Sequence, residues 1–167
     1  FRYLWDGRVQ AHGINPFAHS PDAPELVHLQ ESRFQPNIYR PDMRTVYPGL
    51  AQMWFLAAYF LHPTGFMGWK LILLLHELAA AWLLFDLLRE RGLPPMRALV
   101  YAWSPLPVVQ LFGGGHLDGL MVPWLLLAVW MHRHERPGWA AACLGAAVQV
   151  RPVALFAVPP LLLGRGL

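Results

Sequence analysis

Hydrophobic and polar positions at the start of the chain repeat with the period of an α-helix. One face carries apolar side chains at helical spacings: Phe1, Leu4, Trp5 and Val9. Another face carries polar side chains four residues apart: Arg2, Asp6 and Gln10. The pattern therefore places a carboxylate one turn from a guanidinium, and Gly13 predicts the end of the helix. We expect a short amphipathic helix that either lies on a bilayer or belongs to an active site.

Longer apolar runs follow a polar, proline-rich stretch at 18–45, in which residues 24–29 predict a short helix. The run at 49–61 falls short of the roughly 20 residues that cross a bilayer, so it predicts a juxtamembrane or re-entrant helix. Four later runs are predicted spans. The run at 66–88 is long enough to cross, and 96–112 is if slightly tilted; 117–131 is the third span, and 139–163, which prolines interrupt, is the fourth. The predicted fold is all-α, a polytopic transmembrane helical bundle with about four spans.

Composition supports a membrane protein and excludes other classes. Hydrophobic residues make up 56% of the chain, which is too apolar for a soluble domain. The net charge of +3 does not indicate a nucleic-acid partner, because the arginines lie in turns rather than on one patch. Cys143 is the single cysteine, so the sequence has neither a disulfide framework nor a cysteine metal site.

The positions of the arginines predict the orientation of the chain in the plasma membrane. Arginines cluster at 89–97 and 133–136, and short arginine-rich loops are typically cytoplasmic. The turn at 113–118 and the loop at 1–48 are then extracytoplasmic, and 66–163 forms the spans of a single membrane domain. The sequence begins without Met or a signal peptide and ends without a polar tail, so we expect an internal piece of a longer multi-pass protein.

Charged residues inside the predicted spans are candidates for function, because each is costly unless it is paired or used. Glu77 fits either a buried ion pair or a functional group. Asp86 lies one turn before Arg89 and is interpreted as its structural partner. Arg151 lies beside the helix-breaking Pro152, and its guanidinium could bind Glu77 or a lipid phosphate.

The segment Gly113–Gly119, GGGHLDG, is the most specific local pattern. Three glycines let backbone approach a ligand or a neighbouring segment closely and expose N–H groups that can bind an anion. His116 and Asp118 follow them at the start of the next predicted helix. Asp118 could instead act only as a helix cap, and two residues do not make a metal site.

Four blocks in this order (FRYLWDGRVQAHGINPF, RPDMRTVYPGLAQ, SPLPVVQLFGGGHLDGLM and AAVQVRPVALFAVPP) resemble the bacterial polyprenyl-phosphate-mannose-dependent mannosyltransferases. These are GT-C class integral-membrane glycosyltransferases close to glycosyltransferase family 87. The resemblance places an expected aspartate just upstream of Phe1 and matches Asp6 to a second acidic position. Arg151 stands where the relatives carry lysine, and Ser104 replaces the asparagine before Pro105.

The resemblance implies a glycosyltransferase that moves a hexose, mannose above all, from a polyprenyl-phosphate-linked donor to a glycan or glycolipid acceptor. Catalysis is expected on the extracytoplasmic face of the lipid bilayer. The catalytic candidates are Asp6, Asp118 and His116. The substrate-binding candidates are Arg2, Tyr3, Arg8, Tyr47, Glu77 and Arg151. No metal ligand is assigned and no cofactor is certain, although a divalent metal stays open.

Two other classes of function remain open on sequence grounds. In a membrane transporter or a lipid-linked-sugar flippase, the intramembrane Glu77 and Arg151 would line a pathway. Transporters usually carry repeated halves, and this chain has no visible repeat. A non-catalytic membrane subunit is the third class.

Overall fold

The computed structural model describes residues 1–30 and 35–159, and the regular structure in this part of the chain is entirely helical. The prediction of an all-α fold is therefore confirmed. The α-helices are α1 (Arg2–Ala11), α2 (Gly49–Leu61), α3 (Met67–Glu90), α4 (Ala98–Ala102), α5 (Met121–Arg133) and α6 (Pro137–Val148). Short 3₁₀ helices cover Pro24–Leu29, Gln35–Asn37, Pro95–Arg97, Leu117–Leu120 and Pro152–Ala157, and a π-helix covers Pro107–Gly113.

The prediction of about four membrane spans is not confirmed. Within the described residues, α3 is the one helix that is long and apolar enough to cross a membrane by itself. The helices Pro107–Gly113 and Leu117–Arg133 pass the same test together, but they are bent by 107° at the break between them. The fourth predicted span ends at residues 160–163, which lie outside the described residues.

The second predicted span, 96–112, is broken where the sequence changes from α4 to the π-helix. Pro105 and Pro107 lack the N–H groups that would continue the α-helical hydrogen bonds, so α4 ends at Ala102. The prediction missed this break because it was based on hydropathy, and hydropathy is not affected by the loss of backbone N–H donors.

The chain divides into two compact units, Phe1–Ile72 and Leu73–Leu167, with the boundary inside α3. The single membrane domain expected from the sequence stays a prediction. In the first unit α1 packs against α2. Its hydrophobic core includes Trp5 and Val9 of α1, as the helical spacing predicts, together with Leu26, Leu29 and Ile38 from the following segment.

Gly13 ends α1 as expected, with a φ of +74° that favours glycine. Gly7 was not anticipated. A Cβ atom at Gly7 would lie 2.3 Å from the carbonyl oxygen of Phe55 in α2, a distance that real Cβ atoms do not adopt. The absence of a side chain at this position therefore allows α1 and α2 to cross closely.

We expect Gly7→Ala to lower the free energy of unfolding by about 1–3 kcal/mol, the usual cost of overpacking a tight contact. The helices would have to separate because the clashing atom is backbone rather than a flexible side chain. Gly145→Ala is the matched control, since a Cβ at that position of α6 meets no atom within 4 Å. Thermal unfolding of both variants measures the difference, and equal melting temperatures would contradict the proposed role of Gly7.

In the second unit α5 packs against α6. Asp86 near the end of α3 binds Arg89 over 2.7 Å, as the sequence predicts. Its other oxygen accepts a hydrogen bond of 3.0 Å from the indole N–H of Trp130 on α5. Asp86 thus ties α3 to α5, which agrees with its interpretation as a structural residue.

Candidate functional site

A cavity of about 340 Å³ lies in the second unit, between α4, the π-helix and the start of α5. Its walls are mostly apolar and include Leu106, Pro107, Leu111, Met121 and Val122. Polar groups enter it from four residues: Tyr101, Gln110, His116 and Asp118. A largely apolar cavity with a few polar groups and this volume is typical of small-molecule sites.

The glycine segment forms the turn that delivers His116 and Asp118 to this cavity. Gly115 adopts a φ of +68°, which a residue with a side chain rarely adopts. A Cβ at Gly114 would lie 2.7 Å from Cδ2 of the His116 ring and 2.9 Å from the carbonyl oxygen of Gln110. The glycines therefore make room for the imidazole and for the Gln110 carbonyl, whereas their close approach to a ligand stays a prediction.

Asp118 and Arg151 form an ion pair beside the cavity. Nη2 of Arg151 donates to Oδ2 of Asp118 over 3.0 Å, and Nε lies 2.9 Å from Oδ1. Both side chains are partly exposed, at 44% for Asp118 and 39% for Arg151. A guanidinium that reaches both carboxylate oxygens is held in a defined direction.

The ion pair changes two expectations from the sequence. Glu77, the internal partner considered for Arg151, instead accepts a hydrogen bond of 2.8 Å from the hydroxyl of Tyr101. The carboxylate of Asp118 binds Arg151, and no hydrogen bond from its side chain caps the helix Leu117–Leu120. The first difference has a topological reason, because Pro152 ends α6 early and leaves Arg151 in an extended conformation beside the glycine turn.

Asp6 lies in a separate polar cluster in the first unit. Arg2 Nε donates to its Oδ1 over 2.9 Å. Its Oδ2 accepts hydrogen bonds from Thr45 over 2.6 Å and from Gln52 over 3.0 Å. Gln10 extends the cluster with a 2.8 Å hydrogen bond to the side-chain oxygen of Gln52. The polar face of α1 thus packs against α2 and the preceding loop, so the amphipathic helix is buried on both faces at Asp6.

Burial raises the pKa of Asp6 above its usual range, although the Arg2 charge and the hydrogen bonds from Thr45 and Gln52 oppose this change. With 1% of its surface exposed, Asp6 is in a position to hold α1 in place. The catalytic role expected from the resemblance stays a prediction for this residue.

We expect Thr45→Val to lower the free energy of unfolding by about 1–3 kcal/mol where Asp6 is ionised, because it removes the buried hydrogen bond from the Thr45 hydroxyl to the carboxylate. Losing this donor raises the folded-state pKa of Asp6 further above its unfolded value. The destabilisation should therefore be smallest at acid pH, where Asp6 is protonated in both folded proteins, and grow as pH rises through the folded-state pKa values of the wild type and the variant.

The exposed Thr64 provides the control substitution, Thr64→Val. Denaturant unfolding at several pH values measures both effects. A pH-independent difference between Thr45→Val and the wild-type protein would contradict the coupling to Asp6.

Tyr3 and Tyr47, the aromatic binding candidates of the first unit, pack against other aromatic rings. The ring of Tyr3 stacks on Phe55 with centroids 4.7 Å apart, and Tyr47 contacts both rings edge-on. Trp69 lies 5.0 Å from Tyr3. Arg8 donates from Nη1 to the carbonyl oxygen of Leu29 over 3.0 Å. These contacts position α1, and a role in substrate binding stays a prediction.

Sequence reasoning overlooked the polar residues that bind Asp6 and Glu77. Thr45 and Gln52 bind Asp6, and Tyr101 binds Glu77. Each is a lone polar residue in an apolar or irregular stretch, and its partner is distant in sequence. Among residues 1–30 and 35–159, no group of three or more His, Cys, Asp or Glu side chains could hold a metal ion.

Comparison with known proteins gives one match. A family model described as "MptA_B_family: Alpha-(1->6)-mannopyranosyltransferase, N-terminal domain" matches residues 1–164. No curated protein and no solved structure matches the chain.

Proposed function

Since the chain belongs to the MptA_B family of alpha-(1->6)-mannopyranosyltransferases, whose N-terminal domain it matches, we propose that it transfers mannose. The donor we propose is a polyprenyl phosphate that carries the sugar. The acceptor is a glycan or glycolipid, and transfer occurs on the extracytoplasmic face of the plasma membrane. The observation that carries this proposal is the Asp118–Arg151 pair beside a mostly apolar cavity.

The pair supplies the two charges that such a reaction needs. A carboxylate can accept the proton of an acceptor hydroxyl as that oxygen attacks the anomeric carbon of the donor sugar. The bond between this carbon and the phosphate oxygen then breaks, and the electron pair leaves with the polyprenyl phosphate. A guanidinium stabilises the negative charge of that leaving group.

Asp118 is assigned as the base and Arg151 as the phosphate-binding group, with His116 beside the base on the cavity wall. The apolar walls suit a lipid-borne donor, which reaches the site from the bilayer. Asp6 retains its family-derived role as a second acidic candidate, while its contacts favour a positioning role in the first unit.

The test uses the full-length protein in vesicles with a polyprenyl phosphate that carries radiolabelled mannose. We expect label to appear in a glycan or glycolipid product with this donor and none with a sugar nucleotide alone. Movement of the intact labelled lipid across the vesicle membrane without a new glycosidic bond would instead support a flippase and overturn the proposal.

A further inference from the structure

Glu77 is a buried carboxylate with one oxygen engaged and one unused. The residue is 8% exposed and lies within the apolar helix α3. Its Oε2 accepts the hydrogen bond from Tyr101, whereas Oε1 is buried and has no hydrogen-bond partner in the described part of the chain. Because leaving a buried oxygen unpaired is costly, the hydrogen bond from Tyr101 is important for holding this carboxylate in place.

Gly119 leaves room for this carboxylate behind the wall of the cavity. A Cβ at Gly119 would lie 3.0 Å from Oε1 of Glu77 and 2.8 Å from a methyl group of Leu111. Gly119 and Tyr101 both line the cavity, and Glu77 lies behind them and binds the Tyr101 hydroxyl. The carboxylate thus holds the phenol from behind a wall of the same cavity that Asp118 and His116 line.

The chemistry of this wall is that of a hydrogen-bond acceptor held in place from behind. The phenol O–H of Tyr101 is committed to Glu77, so its oxygen is left to accept through its lone pairs. A hydroxyl group of a sugar can donate to that oxygen, while the C–H face of a sugar ring suits the apolar walls formed by Leu106, Pro107 and Met121.

We infer that Tyr101 binds a hydroxyl group of the hexose carried by the donor and that Glu77 positions its phenol. This inference rests on the proposed function and adds to it the residue that recognises the sugar rather than the lipid phosphate. Tyr101 touches the sugar from the cavity wall. Glu77 orients the phenol from behind the wall and does not itself touch the sugar.

The test compares two ligands on the full-length protein: a short-chain polyprenyl phosphate that carries mannose, and the same polyprenyl phosphate without sugar. The wild-type protein should bind the mannosyl lipid more tightly. We expect Tyr101→Phe to weaken binding of the mannosyl lipid by about ten- to a hundredfold. Glu77→Gln should weaken it by less, because the neutral amide still contacts the phenol but holds it less firmly. Binding of the sugar-free lipid should stay within about twofold.

Two exposed residues provide matched controls, Tyr39→Phe and Glu25→Gln, which should leave both affinities unchanged. Glu77→Gln preserves the shape of the side chain but replaces the charged acceptor of the Tyr101 phenol, so it tests the positioning role even where Tyr101→Phe lowers the melting temperature. Retention of the wild-type preference in folded Glu77→Gln and Tyr101→Phe would overturn the inference. Equal affinity of the wild-type protein for the two lipids would overturn the inference about sugar recognition but not the proposed donor. If the protein bound neither lipid, both the inference and the proposed donor would be overturned.

Discussion

Replacing Asp118 with asparagine should lower the turnover number of the full-length enzyme at least about a hundredfold, the lower bound for a positioned general base. The amide keeps the size of the side chain but accepts no proton from the acceptor hydroxyl. The Michaelis constant for the donor should change less, because the phosphate is assigned to Arg151. Initial rates of mannose transfer at saturating donor measure the effect.

Asp42→Asn is the matched control for Asp118→Asn. Asp42 also binds an arginine through both carboxylate oxygens, since Arg40 donates to them over 3.2 and 3.1 Å. That pair is more than half exposed and lies outside the cavity lining. The Asp42→Asn substitution should leave turnover unchanged. Near-normal turnover in a stably expressed Asp118→Asn protein would reduce Asp118 to a structural partner of Arg151.

Local signals in the sequence predicted part of the structure around Asp6 and Arg151. The i and i+4 spacing of Arg2 and Asp6 anticipated their ion pair, because neighbours on one helix face need no tertiary information. Gly13 and Pro152 marked helix ends that the structure contains. Each of these signals depends only on backbone geometry within a few residues.

The long-range partners of Glu77 and Arg151 could not be predicted from the sequence, and the reason is also physical. Glu77 and Arg151 carry opposite charges in apolar stretches, and charge alone favoured pairing them. The extended backbone at Arg151 instead directs its guanidinium to Asp118, while a phenol from α4 satisfies one oxygen of Glu77. A hydroxyl such as that of Tyr101 competes for a buried carboxylate but gives no charge signal in a sequence.

The close crossing of α1 and α2 at Gly7 could not be predicted from the sequence for a related reason. A glycine inside a helix lowers helix propensity in any context, and only the backbone of α2 reveals why it is needed. The same holds for Gly119, whose missing Cβ accommodates Glu77.

Replacing Arg151 with glutamine should weaken donor binding by about ten- to a hundredfold, the equivalent of a charge-assisted contact of about 1.5–3 kcal/mol. Arg151→Lys should retain part of this affinity, because a point cation still attracts phosphate but lacks the two-pronged geometry. Acceptor affinity should stay nearly unchanged. Donor titrations with the sugar-free polyprenyl phosphate isolate the phosphate contact from any contribution of the sugar.

A purely structural role for Arg151 makes a different prediction, which a double-mutant cycle resolves. If the guanidinium only neutralises Asp118, Arg151→Gln and Asp118→Asn should each destabilise the fold, and the double variant should recover stability. Donor affinity would then equal that of Arg40→Gln, the control at the exposed pair with Asp42. Because both partners of the Asp118–Arg151 pair are partly exposed, the coupling in stability should be small, within about 1 kcal/mol. Strong coupling in stability with unchanged donor affinity would exclude the phosphate-binding role.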